Sequence, residues 1–305
     1  MVVPILAQQG LEQRRNGRQV RKSVLSMGRC IILSMPELPE VETVARDLRP
    51  LLVGRTLGKV QIGNRALRRP WSKGWGKKIV GREFAAIDRR GKWLILELND
   101  GGFLLVHLGM TGQLTVVPPD TPATDHTHLV FPLDNGDELR FRDIRRFGSA
   151  TYYPNRKGWE EFLSDKLGPE PWDMPSGDWY AGLQSSRRSL KALLLDQTFV
   201  AGVGNIYADE SCFAAGLDPR RMGSRLEPAE ALRLLSSIQS VLTRAIESRG
   251  SSIRNYVGGS GLQGEFQDEF CVYGRTGHPC PTCAEPIQCI RLAGRSTHFC
   301  GCCQR

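Results

Sequence analysis

Several things are missing from this sequence, and each absence narrows the reading. No apolar run among its 305 residues is long enough to span a bilayer as a helix, so a transmembrane-helix protein is excluded. There is no glycine-rich nucleotide loop and no βαβ alternation, which argues against a doubly wound nucleotide-binding fold. A secretory signal is absent too, because Ile31-Ile32-Leu33 is too short for an h-region. Acidic residues are scarce in residues 1–34, which hold Arg14, Arg15, Arg18, Arg21, Lys22 and Arg29 against Glu12 alone. That stretch supplies +5 of the formal charge of +9. The rest carries +4, so net charge alone is weak support for a polyanionic partner.

What is present suits two domains with a sizeable core. The cysteines number nine, an odd count, and six of them fall in the last 26 residues. Reduced thiols and metal binding fit that pattern better than a disulfide framework, which points to a cytoplasmic protein.

The chain is organised around Met35-Pro36-Glu37-Leu38-Pro39-Glu40-Val41-Glu42. A proline at a chain terminus carries a secondary amine, a nucleophile for sugar aldehydes. If the chain starts at Met35 and that residue is removed, Pro36 becomes such an amine, with Glu37 next to it to move protons. Residues 1–35 are therefore expected to be absent from the mature chain, through a misassigned start or a removed transit peptide. A retained basic arm touching DNA phosphates is the alternative, and it would leave Pro36 blocked.

Val41, Val44, Ala45 and Leu48 predict an amphipathic helix that ends at Pro50. Glu40 and Glu42 suit its positive end. The period then becomes two. Strands are expected at 56–62, 84–88, 93–98, 103–107, 129–133, 138–142 and 150–153, with hairpin turns at Asn99-Asp100-Gly101-Gly102 and Asp134-Asn135-Gly136-Asp137. The pattern reads as an antiparallel sandwich. Three spots depart from it. Arg89-Arg90-Gly91-Lys92 places cations before an apolar strand, or is a solvated turn. His107-Leu108-Gly109-Met110-Thr111-Gly112 sets Met110 in a glycine-flanked loop, to protrude or to be buried. Arg142-Asp143-Ile144-Arg145-Arg146-Phe147-Gly148 offers arginines beside a ring, as a probe into a base stack or as a strand end paired through Asp143.

Residues 155–270 read as helical, with a linker or sharp turn at Leu167-Gly168-Pro169-Glu170-Pro171. Helices are expected at 159–166, 189–196 and 226–249, the last with Leu232, Leu235, Ile238, Leu242 and Ile246 on one face. In Gly202-Val203-Gly204-Asn205, the asparagine opens a further helix, either as its N-cap or with free N–H groups that bind phosphate. The glycine- and serine-rich segment 250–266 is a linker or a loop over a ligand. Cys280-x2-Cys283, sixteen residues, then Cys300-x2-Cys303 is strong zinc spacing, with a hairpin between the pairs. A four-thiolate site is closed to water, so one structural Zn2+ is expected. Cys302 is the rival ligand, and Cys30, Cys212, Cys271 and Cys289 are assigned to the core or to thiols outside the metal site.

Taken together, PELPEVE at 36–42, HLGMTG at 107–112, GVGNIYADE at 202–210 and the cysteine spacing resemble bacterial formamidopyrimidine-DNA glycosylase, over residues 35–305. The resemblance implies an α+β fold: a catalytic β-sandwich with a leading helix at 36–154, a helix-two-turns-helix domain at 155–270 and a zinc finger at 271–305. It implies a monomer that excises oxidised purines, 8-oxoguanine and formamidopyrimidines, from damaged double-stranded DNA and cleaves the abasic site. No membrane partner is implied, and the location would be cytoplasmic, at the nucleoid. The implied catalytic set is Pro36 as nucleophile, Glu37 as proton donor, Glu40 as organiser, Lys92 near the lesion's phosphates and Arg295 on the zinc finger. His107, Asn205 and Tyr273 would join in holding phosphates, and Met110, Arg145 and Phe147 would fill the gap left by the flipped nucleotide. Segment 250–266 would cover the extruded base. Ile144 stands where the family has proline. Two alternatives remain: an endonuclease VIII-like enzyme for oxidised pyrimidines, against which Leu38 argues, or a non-catalytic damage-binding protein with Pro36 blocked.

Overall fold

The computed structural model describes residues 35–122, 124–251 and 264–305. The basic stretch 1–34 and most of the glycine-rich segment lie outside them. In chain order the elements are α1 (Leu38–Leu52), β1 (Gln61–Ile62), α2 (Lys73–Ile79), β2 (Phe84–Arg90), β3 (Trp93–Leu98), β4 (Phe103–His107), β5 (Gly112–Val117), β6 (Thr127–Pro132), β7 (Glu138–Asp143) and β8 (Ser149–Tyr153). The second half holds α3 (Arg156–Ser164), α4 (Ser176–Gln184), α5 (Leu190–Leu194), α6 (Asn205–Ala214), α7 (Pro228–Glu247), β9 (Gln288–Leu292) and β10 (Arg295–Phe299).

Two four-stranded sheets form the sandwich, in the orders β1-β6-β7-β5 and β2-β3-β4-β8, with every pair antiparallel. Alternation along the strands buries Phe84, Ile87, Leu94, Leu96, Leu104 and Val106 from one sheet and Leu114, Leu129, Phe131, Leu139 and Phe141 from the other. Helix α1 joins this core through Val41, Val44, Ala45, Leu48 and Leu52. Its first residue, Leu38, belongs instead to the core of the helical half. The start of α1 is thus pinned where the two halves meet.

The structure departs from the expectations in several places. Helix α1 runs through Pro50 to Leu52, because a proline this close to the end removes a single N–H and Val53 N still bonds Arg49 O at 3.1 Å. Segment 56–62 is not one strand. Thr56 bridges Glu83 on one sheet, Leu57 bridges Leu133 on the other, and only Gln61–Ile62 form a ladder. A chain that shares its hydrogen bonds between two sheets cannot build a long ladder with either. Strand β5 was not expected, although Leu114 and Val116 alternate with Gln113 and Thr115. Helices α2 and α4 have weak local signals. They are held by tertiary contacts of Trp71 with Trp75, at 5.4 Å between ring centres, and of fully buried Trp179 with Phe199.

In the helical half, α5 and α6 are joined by two tight turns, the first closed by Phe199 N and Val200 N on Asp196 O. Helix α7 buries Ala231, Leu234, Leu235, Ile238, Val241, Leu242 and Ala245 against them. Its face is therefore rotated from the expected one: Leu232 is 48% exposed. The β9–β10 hairpin between the cysteine pairs is antiparallel, with Arg295 opposite Leu292, and β10 lies against α6. No helix among the described residues is long and apolar enough to cross a membrane.

Candidate active site

The buried N-terminus of α1 meets the N-terminus of α6. Glu37 Oε1 accepts from Ile206 N–H at 2.9 Å, and Oε2 lies 3.4 Å from Tyr207 N. Glu37 thus fills the capping position that the sequence offered to Asn205. Asn205 is instead the first residue of α6, and Gly204 precedes it as the cap. The glycines explain the fit. A Cβ on Gly204 would fall 2.3 Å from the Glu37 carboxyl carbon, and one on Gly202 (φ +90°) would fall 2.4 Å from Leu38 Cδ1. Leu38 N–H also bonds Gly202 O at 3.1 Å. The GVG turn is therefore a socket for Glu37-Leu38.

Burial raises the Glu37 pKa to about 7, against the lowering effects of Lys92 and the Ile206 N–H. A carboxyl half protonated near neutral pH can give and take a proton, as acid–base work requires. Glu40 is more heavily bonded. Its Oε2 accepts from Glu37 N–H at 2.9 Å, while Oε1 accepts from Tyr207 O–H at 2.5 Å, Ser251 N–H at 2.7 Å and Ser251 O–H at 2.9 Å. The sequence assigns neither Tyr207 nor Ser251 a role of its own. Nothing in their residue types shows that they converge on Glu40.

Lys92 is buried in the β2–β3 turn. Burial holds its pKa below the usual lysine value, opposed by the charges of Glu37 and Glu40 and reinforced by Arg295. Arg295 itself is exposed at the start of β10. Asn205 Nδ2 donates to Ser296 Oγ at 3.3 Å, which sets it beside Arg295. His107 accepts Gly109 N–H on Nδ1 at 3.1 Å. Burial, with the charges of Lys92 and Arg69, pushes its pKa down to about 4. It is therefore neutral at physiological pH, with its proton on Nε2. Tyr273 is 1% exposed, edge-on to Phe270 and His298.

Met110 and the Arg145–Phe147 segment occupy adjoining loops. Gly109 (φ +67°) lets them touch, since a Cβ there would fall 2.5 Å from Gly148 N. Fully buried Asp143 holds the second loop, accepting from Thr111 O–H at 2.5 Å, Arg145 N–H at 3.2 Å and Gly148 N–H at 2.7 Å. It forms no salt bridge among the described residues. These bonds fix the loop although Ile144 replaces a proline. Met110 is half-buried and Phe147 is 44% exposed, with the Arg145 guanidinium 4.7 Å from its ring centre. An exposed, cation-stacked ring suits insertion between bases. Phe147→Ala is expected to slow excision from duplex DNA about tenfold and to spare cleavage of pre-formed abasic sites, in proportion to the lost stacking. Single-turnover assays on both substrates check this, and a defect confined to abasic sites would count against insertion.

At the far end, the Sγ atoms of Cys280, Cys283, Cys300 and Cys303 lie within 4.8 Å of one another, with Cys283–Cys300 at 3.5 Å and Cys280–Cys303 at 3.8 Å. Tetrahedral zinc with Zn–S bonds of about 2.3 Å requires sulfur pairs about 3.8 Å apart, so the site fits. The four hold one structural zinc. Cys302 is exposed and outside the cluster. Two acidic residues at the end of GVGNIYADE dock this finger. Asp209 accepts from Lys191 Nζ at 2.5 Å and from His298 N–H at 2.9 Å. Glu210 accepts from the N–H groups of Cys271, Val272 and Tyr273 at 2.9, 2.9 and 2.7 Å. The motif was visible in the sequence, but these docking roles were not.

Comparison with known proteins covers the same three regions. Residues 35–150 match the formamidopyrimidine-DNA glycosylase N-terminal domain family, 167–257 the formamidopyrimidine-DNA glycosylase H2TH domain family, and 277–305 the zinc finger found in FPG and IleRS. The chain is 43% identical over 275 residues to the formamidopyrimidine-DNA glycosylase of Desulforamulus reducens, covering 89% of this chain and 99% of that one. It is 47% identical over 263 residues to that of Moorella thermoacetica, covering 84% and 95%. Among solved structures it resembles Lactococcus lactis Fpg in complex with DNA containing an abasic site, at TM-score 0.82 and 36% identity, covering 88% of this chain and 99% of that one. It also resembles the MutM (FPG) protein of Thermus thermophilus, at TM-score 0.79 and 42% identity, covering 88% and 98%.

Proposed function

The chain belongs to the formamidopyrimidine-DNA glycosylase family, and from that premise we propose that it excises oxidised purines from double-stranded DNA and then cleaves the strand, through Pro36. The observation that carries this reading is the meeting of Glu37 with the N-terminus of α6 beside Lys92, which gathers residues from three distant motifs around one buried proline. The sandwich, 36–154, supplies the nucleophile and the inserting loops. The helical part, 155–270, and the finger, 271–305, supply Asn205 and Arg295 for phosphate. The enzyme acts as a monomer in the cytoplasm, at the nucleoid.

The chemistry follows from the amine. A sugar carbon inside the stack is out of reach, so the nucleotide is extruded and Met110, Arg145 and Phe147 fill its place. The Pro36 nitrogen attacks C1′, and the base leaves with a proton drawn from the site. A secondary amine yields a cationic iminium, which withdraws electrons from C2′ and allows β- and then δ-elimination. An α-amino group titrates at roughly 7.7–8.0, so an appreciable fraction is neutral where Glu37 is still partly protonated. Lys92 and Arg295 balance phosphate charge around the extruded nucleotide.

In the full sequence the Pro36 nitrogen is an amide, so this chemistry requires removal of residues 1–35. Two measurements test the reading together. The intact mass of protein from its native cells is expected to correspond to Pro36–Arg305. Borohydride is expected to trap that protein covalently on an 8-oxoguanine duplex, with Pro36→Gly trapping sharply less. A mass that includes Met35, with no trapped adduct, would replace the enzyme by a damage-binding protein. Faster cleavage of a thymine-glycol duplex would move the specificity to oxidised pyrimidines.

A further inference from the structure

Buried Glu170 lies in the segment that joins the two halves, and its carboxylate collects four N–H donors from one turn of the sandwich. Arg89 grips it with a two-point fork, Nη1 to Oε1 and Nη2 to Oε2, both at 2.9 Å. Arg90 Nη1 reaches Oε1 at 3.1 Å, and Gly91 N–H reaches the same oxygen at 2.6 Å. Arg90 Nη2 also donates to Gly168 O at 2.6 Å. The turn is pressed close as well. Gly91 has φ +55°, and a Cβ there would fall 3.3 Å from Leu167 Cδ1 and 3.5 Å from Ala201 Cβ.

The next residue of this turn is Lys92. Its ammonium has no hydrogen bond or ion pair among the described residues, so its place is set by its backbone. That backbone is closed by the β2–β3 ladder, with Arg90 opposite Trp93, and Glu170 ties the closed turn to the helical half. The joining segment is bonded on its other side to the loop before α6, through Gly168 N–H to Gln197 O at 2.8 Å and Ala201 N–H to Pro169 O at 2.9 Å. That loop carries Gly202 and Gly204, the socket for Glu37-Leu38. Arg89 extends the link to α1, with Nε donating to Glu42 Oε2 at 3.0 Å. One buried carboxylate therefore ties the lysine turn to both elements that hold Glu37.

We infer that Glu170 is a positioning residue, which fixes the Arg89–Lys92 turn so that the Lys92 ammonium is delivered to the site of Pro36 and Glu37. The inference rests on the reading of Lys92 given above. The charged groups around Lys92 are Glu37, Glu40 and Arg295, and those around Glu170 are Arg89 and Arg90. Glu170→Gln keeps the shape and removes the charge that the two arginines grip.

The test is a double-mutant cycle on the processed full chain, with Glu170→Gln, Lys92→Met and the pair. Rates are single-turnover excision of 8-oxoguanine at saturating enzyme, scaled to active sites counted by borohydride trapping. Affinity is measured on a duplex with a non-cleavable abasic analogue. Glu170→Gln is expected to excise about tenfold more slowly per active site with affinity within about twofold, since misplacement of about 1 Å can cost up to a hundredfold. In the Lys92→Met background it should slow the enzyme no further, because the two act as one unit. A native rate per active site, or effects that multiply, would overturn the positioning role while leaving Lys92 in the mechanism. If Lys92→Met itself excises at the native rate, the reading of Lys92 fails and this inference goes with it. Should Glu170→Gln not retain zinc and a cooperative melt, Glu170→Asp serves in the same cycle. It keeps the charge but withdraws it from Gly91 N–H.

Discussion

Glu37→Gln is expected to lower base excision by about two to four orders of magnitude, the range of a lost general acid, and to change stability in a pH-dependent way. The glutamine oxygen can keep the bond from Ile206 N–H at 2.9 Å, so the variant should fold. What it cannot do is ionise. In the native protein, burial raises Glu37 from 4.5 to about 7, so the folded state binds its proton more tightly than the unfolded chain. This contribution to stability is fully present below pH 4.5 and is lost as the pH rises to about 7. That change corresponds to roughly 3 kcal/mol as an upper bound. The variant should therefore gain on the native protein between pH 4.5 and pH 8. Melting curves at pH 4.5 and 8, beside single-turnover assays, check both halves. Unchanged excision would remove Glu37 from the chemistry, and an equal stability difference at both pH values would contradict its raised pKa.

Cys283→Ser is expected to abolish stoichiometric zinc and weaken DNA affinity tenfold or more, while the rest of the fold persists. Four-thiolate sites contribute about 10–16 kcal/mol in small zinc domains, and three sulfurs cannot close the tetrahedron. The apolar cluster packed around the cysteines is small: Val272, Ile287 and partly buried Phe213. Without the metal, the hairpin is held by β10 against α6, with His298 N–H on Asp209, while the turns that carry the four cysteines lose their tie. Arg295, exposed at the start of β10, then loses its fixed place, and the bond of Asn205 to Ser296 beside it weakens. Losing even two phosphate contacts lowers affinity by about tenfold or more and flattens its salt dependence. The sandwich and helical cores take no residues from 274–305, so far-ultraviolet circular dichroism should change little. Metal analysis and duplex binding at two salt concentrations decide the matter. A variant with one zinc per chain would overturn the ligand set.

Local rules made much of this fold readable. Period-two alternation located β2, β3, β4, β6, β7 and β8, and the cysteine spacing named all four ligands. Where the reading failed, long-range contacts had overridden local signals. Trp179, rather than helix propensity, makes α4, and segment 56–62 divides its hydrogen bonds between two sheets. The face of α7 shifted because its burial follows the neighbours it packs against rather than the largest leucines.

The sequence by itself determined which groups are available for the chemistry. Pro36, Glu37 and the cysteines are specified by residue type and by spacing along the chain, which survive without a fold. Only the tertiary structure decided who supports them. Glu37 caps α6 across 169 residues of sequence, Tyr207 and Ser251 converge on Glu40, Asp209 and Glu210 dock the finger, and Glu170 holds the turn of Lys92. A carboxylate carries no mark of the distant N–H it will accept from. Its partner is chosen by the packing of whole elements.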